Sequence, residues 1–317
     1  GHPPNNHGGM GHGSLHTNCK SIKVLLVLGE GRIPLFVATL LCYCLIWVTN
    51  VTIIVTIIMD RNLHEPMYIF ICNLCINGLI YTAGFYPKFL IDLLSSAHVI
   101  SKAGCLLQGY VIHGFLGVDC SVLLLMAFDR YVAICRPLGY HSIMTRQRVS
   151  VFIFFAWFIP LKLIAIGSIT TSTARLCGSH IPKIYCINYL VNRIACAPSI
   201  AAVAVPAFNY TFYVCHVLAI VWSYVHIIKT CTHSKENRVK FMSTCLPHLI
   251  CLIIFFGSLC FDLLYVRFGS VLVSDSVKNF MAIEFIIVPP LSNPLIYGLK
   301  LTKIRNRLWQ SFRLNPK

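Results

Sequence analysis

Residues 33–59 read IPLFVATLLCYCLIWVTNVTIIVTIIM, without one charged side chain from end to end. At about 1.5 Å of rise per residue, a helix of that length outruns the ~30 Å hydrocarbon core of a bilayer. Asp60 and Arg61 end it. Six more apolar stretches follow, at approximately 67–93, 104–133, 149–172, 198–228, 239–264 and 279–299, each bounded by charges, Pro/Gly turns or polar clusters. The whole chain of 317 residues is 57% hydrophobic and only 11% charged, against about a quarter charged in a soluble domain. Backbone groups in lipid must pair within their own segment, so helices are the expected form. The short alternating segments of a membrane barrel are not seen. The expectation is an all-α, seven-transmembrane helix bundle.

Working outward from the spans, the formal net charge of +16 would in a soluble protein suggest nucleic acid. Here the basic residues lie in the connections. Arg61, Arg130, Arg136, Arg146, Arg148, Lys229, Lys235, Arg238, Lys240 and the run from Lys300 to Lys317 all fall on one side of the membrane, with only Asp60, Glu65, Asp129 and Glu236 as acids. The positive-inside rule makes that side cytoplasmic. Seven spans then put the N-terminus outside and the C-terminus inside. Three parts are expected: a disordered extracellular tail at 1–32, the helix bundle at 33–300, and an amphipathic helix with a cytoplasmic tail at 301–317. The tail, GHPPNNHGGMGHGSLHTNCK, is too polar to bury a core. No signal-peptide pattern is visible, and the N-x-[ST] matches at Asn50 and Asn209 fall inside spans. In the last part, Leu301, Ile304, Leu308 and Phe312 share a helical face, which suits a helix on the inner membrane surface attracted to anionic lipid.

The longest internal connection, about 173–197, carries Cys177, Cys186 and Cys196. With Cys105 at the outer end of the third span they make four cysteines in an oxidising compartment, and four allow three pairings. Cys19 is left over. The remaining cysteines lie in or near spans as small apolar side chains, and Cys72-Asn73-Leu74-Cys75 lacks the second pair a zinc site needs.

The third span ends in MAFDRYVAICRPLGYHSIMT (126–145), which sets Asp129 and Arg130 at the lipid–cytosol boundary, where unpaired charge is expensive. A local ion pair answers that cost, either as a static pair or as one that breaks when helices move. The string resembles the Asp-Arg-Tyr signature of family A G-protein-coupled receptors, carried here by Asp129, Arg130 and Tyr131, and more closely the MAYDRYVAICxPLxY of odorant receptors. LHEPMYIFICNLC (63–75), SYVHI (223–227), KFMSTCLPHL (240–249) and PPLSNPLIYGLK (289–300) resemble further strings of the same subfamily. Five in order, over roughly 33–310, are specific together. The wording is nearest to fish-type receptors, and Arg267-Phe268-Gly269 is similar to the class I group.

The resemblance implies roles. Arg130 would release Asp129 to face a stimulatory olfactory-type G protein, with Tyr224 and Tyr297 swinging inward and Asn293-Pro294 as the deformable point of the seventh helix. It also implies disulfides Cys105–Cys186 and Cys177–Cys196. The sequence departs from the pattern at Gly78, where the family has an aspartate, and at Phe256, where it has a tyrosine. Asp119 is then expected either to keep a weak sodium site with Asn50 and Asn293 or to be a protonated buried carboxyl.

A pocket in a helix bundle is mostly apolar with a few placed polar groups. The expected lining is Tyr110, His113, Gly114, Gly117, Phe208, Asn209, Phe256, Cys260 and Phe261, the two glycines making room beside His113. Arg267, at the outer end of the sixth span, is either a bidentate anchor for a carboxylate or amino-acid-like odorant, or a loop charge meeting water, Glu284 or Asp275. The partners expected are a small-molecule odorant, a G protein and the lipid membrane, at the plasma membrane, with no cofactor. A non-olfactory chemosensor is the nearest alternative. A transporter would want paired intramembrane charges and internal symmetry, and Lys162, Asp119 and Glu284 show no symmetry. No enzyme motif such as H-E-x-x-H or G-x-S-x-G is present, so no catalytic activity is expected.

Overall fold

The computed structural model describes residues 21–24, 32–95, 98–181, 183–197, 199–232, 239, 241–272 and 275–313, with the side chains of 21, 24, 244, 261–283, 285 and 311–313 outside the described set. The helices run in chain order as α1 (Arg32–Met59), α2 (Pro66–Leu94), α3 (Lys102–Cys135), a short α4 (Tyr140–Ile143), α5 (Arg146–Ser172), a short α6 (Asn188–Arg193) and α7 (Ile200–Thr232). A π-helical turn, Phe241–Cys245, leads into α8 (Leu246–Leu272), then α9 (Asp275–Lys300) and α10 (Thr302–Arg313). Seven of these, α1, α2, α3, α5, α7, α8 and α9, form the bundle. Among the described residues, five helices (α1, α2, α3, α5, α7) are long and apolar enough to cross a membrane, and α8 has a shorter apolar stretch at Leu246–Cys260.

The polarity of α1 is inverted relative to a water-soluble helix. It buries Thr39, Ile46, Asn50, Ile53 and Ile57 on one face and turns Val37, Leu41, Val48, Val55 and Ile58 outward. Lipid solvates apolar side chains as well as the interior does, so small and polar groups collect between helices. Pro66 occupies the first turn of α2, where its missing N–H is not needed. Ser101 caps α3 by accepting from the Gly104 amide at 3.0 Å, and Thr145 caps α5. α3 is the central helix and packs on α2, α5 and α7.

Two boundaries differ from the sequence reading. α8 continues to Leu272, and Ser21–Val24, inside the stretch expected to be disordered, forms strand β1. β1 lies between β2 (Val99–Ser101), to which it is antiparallel, and β3 (His180–Ile181), to which it is parallel. The physical reason is Ile22, which is fully buried against Cys105, Leu176, Ile181, Cys186 and Leu190. Disulfides Cys105–Cys186 and Cys177–Cys196 brace the same end of the bundle.

At the opposite, basic end, α10 folds back under α1 and α2. Leu301 and Ile304 are buried, Lys303 pairs with Glu65 at 2.6 Å, and Arg307 pairs with Asp60. The Arg307 guanidinium, with the Asn62 amide, holds the Asp60 carboxyl down at about 2 from its ordinary 3.8.

Candidate functional site: a polar switch beneath a capped pocket

The basic end of α3 carries a fully buried carboxylate, Asp129. Arg130 donates to it from Nε at 2.9 Å and from a terminal nitrogen. Tyr140, on the connection after α3, donates its hydroxyl to the other carboxylate oxygen at 2.8 Å. Burial, and Asp129 beside it, push the Tyr140 phenol above its ordinary range, so it stays a donor. A buried carboxylate is thus held from two sides, and losing either partner would leave charge uncompensated. Tyr131 points away from this pair and packs its ring on Trp222 and His226 of α7.

Tyr224 of α7 is buried with its hydroxyl 2.6 Å from Nδ1 of His248 in α8. Tyr297 of α9 is fully buried in the same core cluster as Cys251 and Phe255. Pro294 has no N–H, so the Pro290 carbonyl one turn earlier lacks its helical donor. Asn50 of α1 supplies one, at 2.8 Å. Asn293 is buried next to that break. Sequence reasoning passed over Tyr140 and His248; the signal available was a polar residue inside each of two matched strings.

Asp119 differs from expectation in its partner. Its carboxylate accepts from Asn77 of α2 at 2.7 Å, and the same amide nitrogen reaches the Phe115 carbonyl at 2.6 Å. Asn50 is turned to Pro290 instead, because the proline break competes for its amide. An added Cβ at Gly78 would sit 3.3 Å from Pro290 Cβ and 3.8 Å from Asn50 Oδ1, so α9 leans into the room an aspartate would need. Among the described residues no cluster of three His, Cys, Asp or Glu could hold a metal.

Toward the disulfide-bearing end, Tyr110 and His113 of α3 are half-buried. His113 Nδ1 lies 2.9 Å from the Gly109 carbonyl and its ring approaches Tyr185. Phe256 is half-buried, edge-on to Phe255. Four expected lining residues are corrected. Phe208 is 62% exposed on the lipid-facing side of α7, and Cys260 is exposed on α8. Gly114 and Gly117 do not open a cavity. A Cβ at Gly114 would meet Leu161 of α5 at 3.0 Å, and one at Gly117 would meet Pro160 at 2.8 Å and the Tyr213 hydroxyl. Both glycines let α5 and α7 approach α3, as small residues do between membrane helices. The side chains of Phe261 and Arg267 lie outside the described residues.

Asn209 does point inward, with its buried carbonyl oxygen unpaired among the described residues. One helical turn on, the buried Tyr213 hydroxyl is also unpaired. Tyr213 was missed, although its i,i+4 spacing from Asn209 in an apolar span was a readable signal. The loop that closes this end carries buried Lys183, its Nζ 4.2 Å from the Tyr185 ring centre. Ser258 of α8 donates to Glu284 of α9 at 2.7 Å.

A seven-helix bundle with a buried Asp-Arg pair at one end and a disulfide-braced cap at the other defines the rhodopsin-like fold. The structure of squid rhodopsin superposes with a TM-score of 0.70 and 16% identity, covering 92% of this chain and 91% of that one. A family profile for the olfactory receptor matches residues 39–314. Olfactory receptor 10A6 of Homo sapiens is 32% identical over 306 residues, covering 93% of this chain and 96% of its own. Olfactory receptor 6K6 of Homo sapiens is 35% identical over 286 residues, 89% of this chain and 82% of its own, and olfactory receptor 6E1 of Mus musculus is 32% identical over 298 residues, 91% of this chain and 94% of its own. The chain belongs to the olfactory receptor family of G-protein-coupled receptors. It is accordingly a multi-pass membrane receptor with a small-molecule ligand and a G protein as partners, not an enzyme.

Proposed function

We propose that this receptor takes a small, water-soluble odorant into the disulfide-bearing half of the bundle and activates a stimulatory olfactory-type G protein at the basic end. The observation that carries the ligand half is the pair of unpaired, buried acceptor and hydroxyl groups on Asn209 and Tyr213. A buried polar group without a partner costs about 1–3 kcal/mol, and a polar ligand relieves that cost. Tyr110, His113 and Phe256 supply the apolar and aromatic wall. The basic end, by the positive-inside rule, lies in the cytosol, with the N-terminus outside the plasma membrane. Residues 1–32 are read as the outer tail, 33–300 as the receptor unit and 301–317 as the inner helix and tail. Arg267-Phe268-Gly269 supports placing the receptor with the class I group.

The mechanism is a population shift, in which only a ligand with different affinity for two arrangements can move the balance. In the active arrangement Arg130 leaves Asp129 for the G protein, Tyr224 and Tyr297 turn towards it, and α9 bends at Asn293-Pro294. Arg267 is read as the anchor for a carboxylate or amino-acid-like ligand. The test is cAMP accumulation in cells expressing the full chain, challenged with amino acids, short acids and neutral odorants. Arg130→Ala should silence every response. Arg267→Ala should remove responses to carboxylates alone; unchanged potency towards them would sink the anchor.

A further inference from the structure

We propose that a cleft at the basic end, between α2 and α5 and floored by α3, holds the phosphate headgroup of an anionic phospholipid. The cleft measures about 930 Å³. At its inner limit Trp157 of α5 donates to Asn73 of α2 at 3.0 Å and ties the two helices together.

The cleft's chemistry divides by depth. Ile58 of α1, Ile69 of α2 and Ile153 of α5 give it apolar flanks within the span. His64, His141 and Arg146 stand at its mouth, all exposed. The Arg146 guanidinium has no partner among the described residues, and it opens α5, a helix of 27 residues whose N-terminal amide dipoles add positive potential. Glu65 is the acid in the lining, and Lys303 offsets it at 2.6 Å. Arg130 reaches the floor already paired with Asp129. His64 already donates Nε2 to the Ile58 carbonyl at 3.3 Å, so one free cation, the His141 imidazole and apolar flanks together match a phosphodiester on an acyl chain. A free phosphate would gain nothing from the isoleucines. Tyr140 also lines the cleft, so a bound headgroup packs against the residue that holds Asp129. The leaflet that supplies the lipid follows from the orientation proposed above; the site itself does not.

The experiment uses the full-length receptor in nanodiscs of phosphatidylcholine with a minor fraction of phosphatidylglycerol, then detergent extraction and native mass spectrometry of the lipids retained. A basic residue at an anionic membrane is worth about 1 kcal/mol, so Arg146→Gln should lower retained phosphatidylglycerol about fivefold. Phosphatidylcholine should be unaffected. Ile153→Trp, which fills the cleft without changing charge, should lower retention as well. Arg305→Gln, an exposed α10 charge outside the cleft, controls for the general attraction of that helix to anionic lipid and should lower retention by less than Arg146→Gln. Full retention in both Arg146→Gln and Ile153→Trp would overturn the proposal. So would equal loss in Arg305→Gln, or displacement of the lipid by soluble glycerol phosphate, which would assign the site to a free anion. Retention is read without any signalling step, so this result is separable from failure of the proposed coupling.

Discussion

Replacing Tyr140 with phenylalanine removes a single hydroxyl from a fully buried carboxylate. Asp129 keeps Arg130 on one oxygen but loses the 2.8 Å donor on the other. Hydrogen bonds to charged groups contribute about 1.5–3 kcal/mol. Tyr140 lines an open cleft, where water can partly replace the lost donor, so the lower end applies. Every ~1.4 kcal/mol is a factor of ten in a population ratio. If activation moves Asp129 away from Tyr140 as well as from Arg130, the bond is present only in the resting arrangement, and its loss raises the active fraction by the full factor. A receptor resting near 1% active, within the usual range for a minor state, would move to roughly 10%. The assay is basal cAMP accumulation without odorant, normalised to receptor at the cell surface. Tyr140→Phe should raise it about tenfold, in the same direction as Asp129→Asn. Basal signalling unchanged in Tyr140→Phe but raised in Asp129→Asn, at equal surface levels, would refute the reasoning, because the hydroxyl would then be spectating rather than restraining.

Two further outcomes follow from the packing and the charges. Gly117→Ala should lower the melting temperature of the detergent-solubilised receptor, because Pro160 Cβ stands 2.8 Å from the added methyl and overpacking costs about 1–3 kcal/mol. Gly257→Ala meets nothing within 4 Å among the described residues and should leave it level or raised; equal effects at the two sites would break the argument. Asp60 has its carboxyl depressed to about 2 from 3.8, so its hold on α10 is complete above its ordinary value and fades as pH falls from about 4 towards 2. A spin label at Gln310 should gain mobility over that interval, and in Asp60→Asn it should be mobile already at neutral pH.

Much of the fold was legible because lipid imposes a crude and strong rule. A chargeless run such as residues 33–59 has one stable form in hydrocarbon, and basic connections mark one end. The Asp129–Arg130 pair was legible for a related reason, since adjacent opposite charges at a membrane boundary have an obvious mutual use. The pocket was less legible. Phe208 and Asn209 are neighbours in an apolar run, and period alone does not say which faces lipid when both faces are apolar. Gly114 and Gly117 looked like space because glycine is small; whether smallness makes a cavity or admits a neighbouring helix depends on that neighbour. Ile22 opens a largely apolar run, Ile22 to Leu28, that reading residues 1–32 as a single polar tail passes over.

The chain by itself determined the solvent, the number of crossings, the family and the adjacent Asp129–Arg130 pair, because each depends on composition along a segment or on a short contiguous string. Only the tertiary structure decided the pairings: Tyr140 with Asp129, His248 with Tyr224, Asn77 with Asp119, Asn50 with the carbonyl that Pro294 leaves free. These join residues up to 240 positions apart. Which of them meet is set by the rotation of each helix about its own axis, and in a bilayer that rotation is chosen by close packing and scarce polar contacts rather than by any contrast between an oily and a wet face.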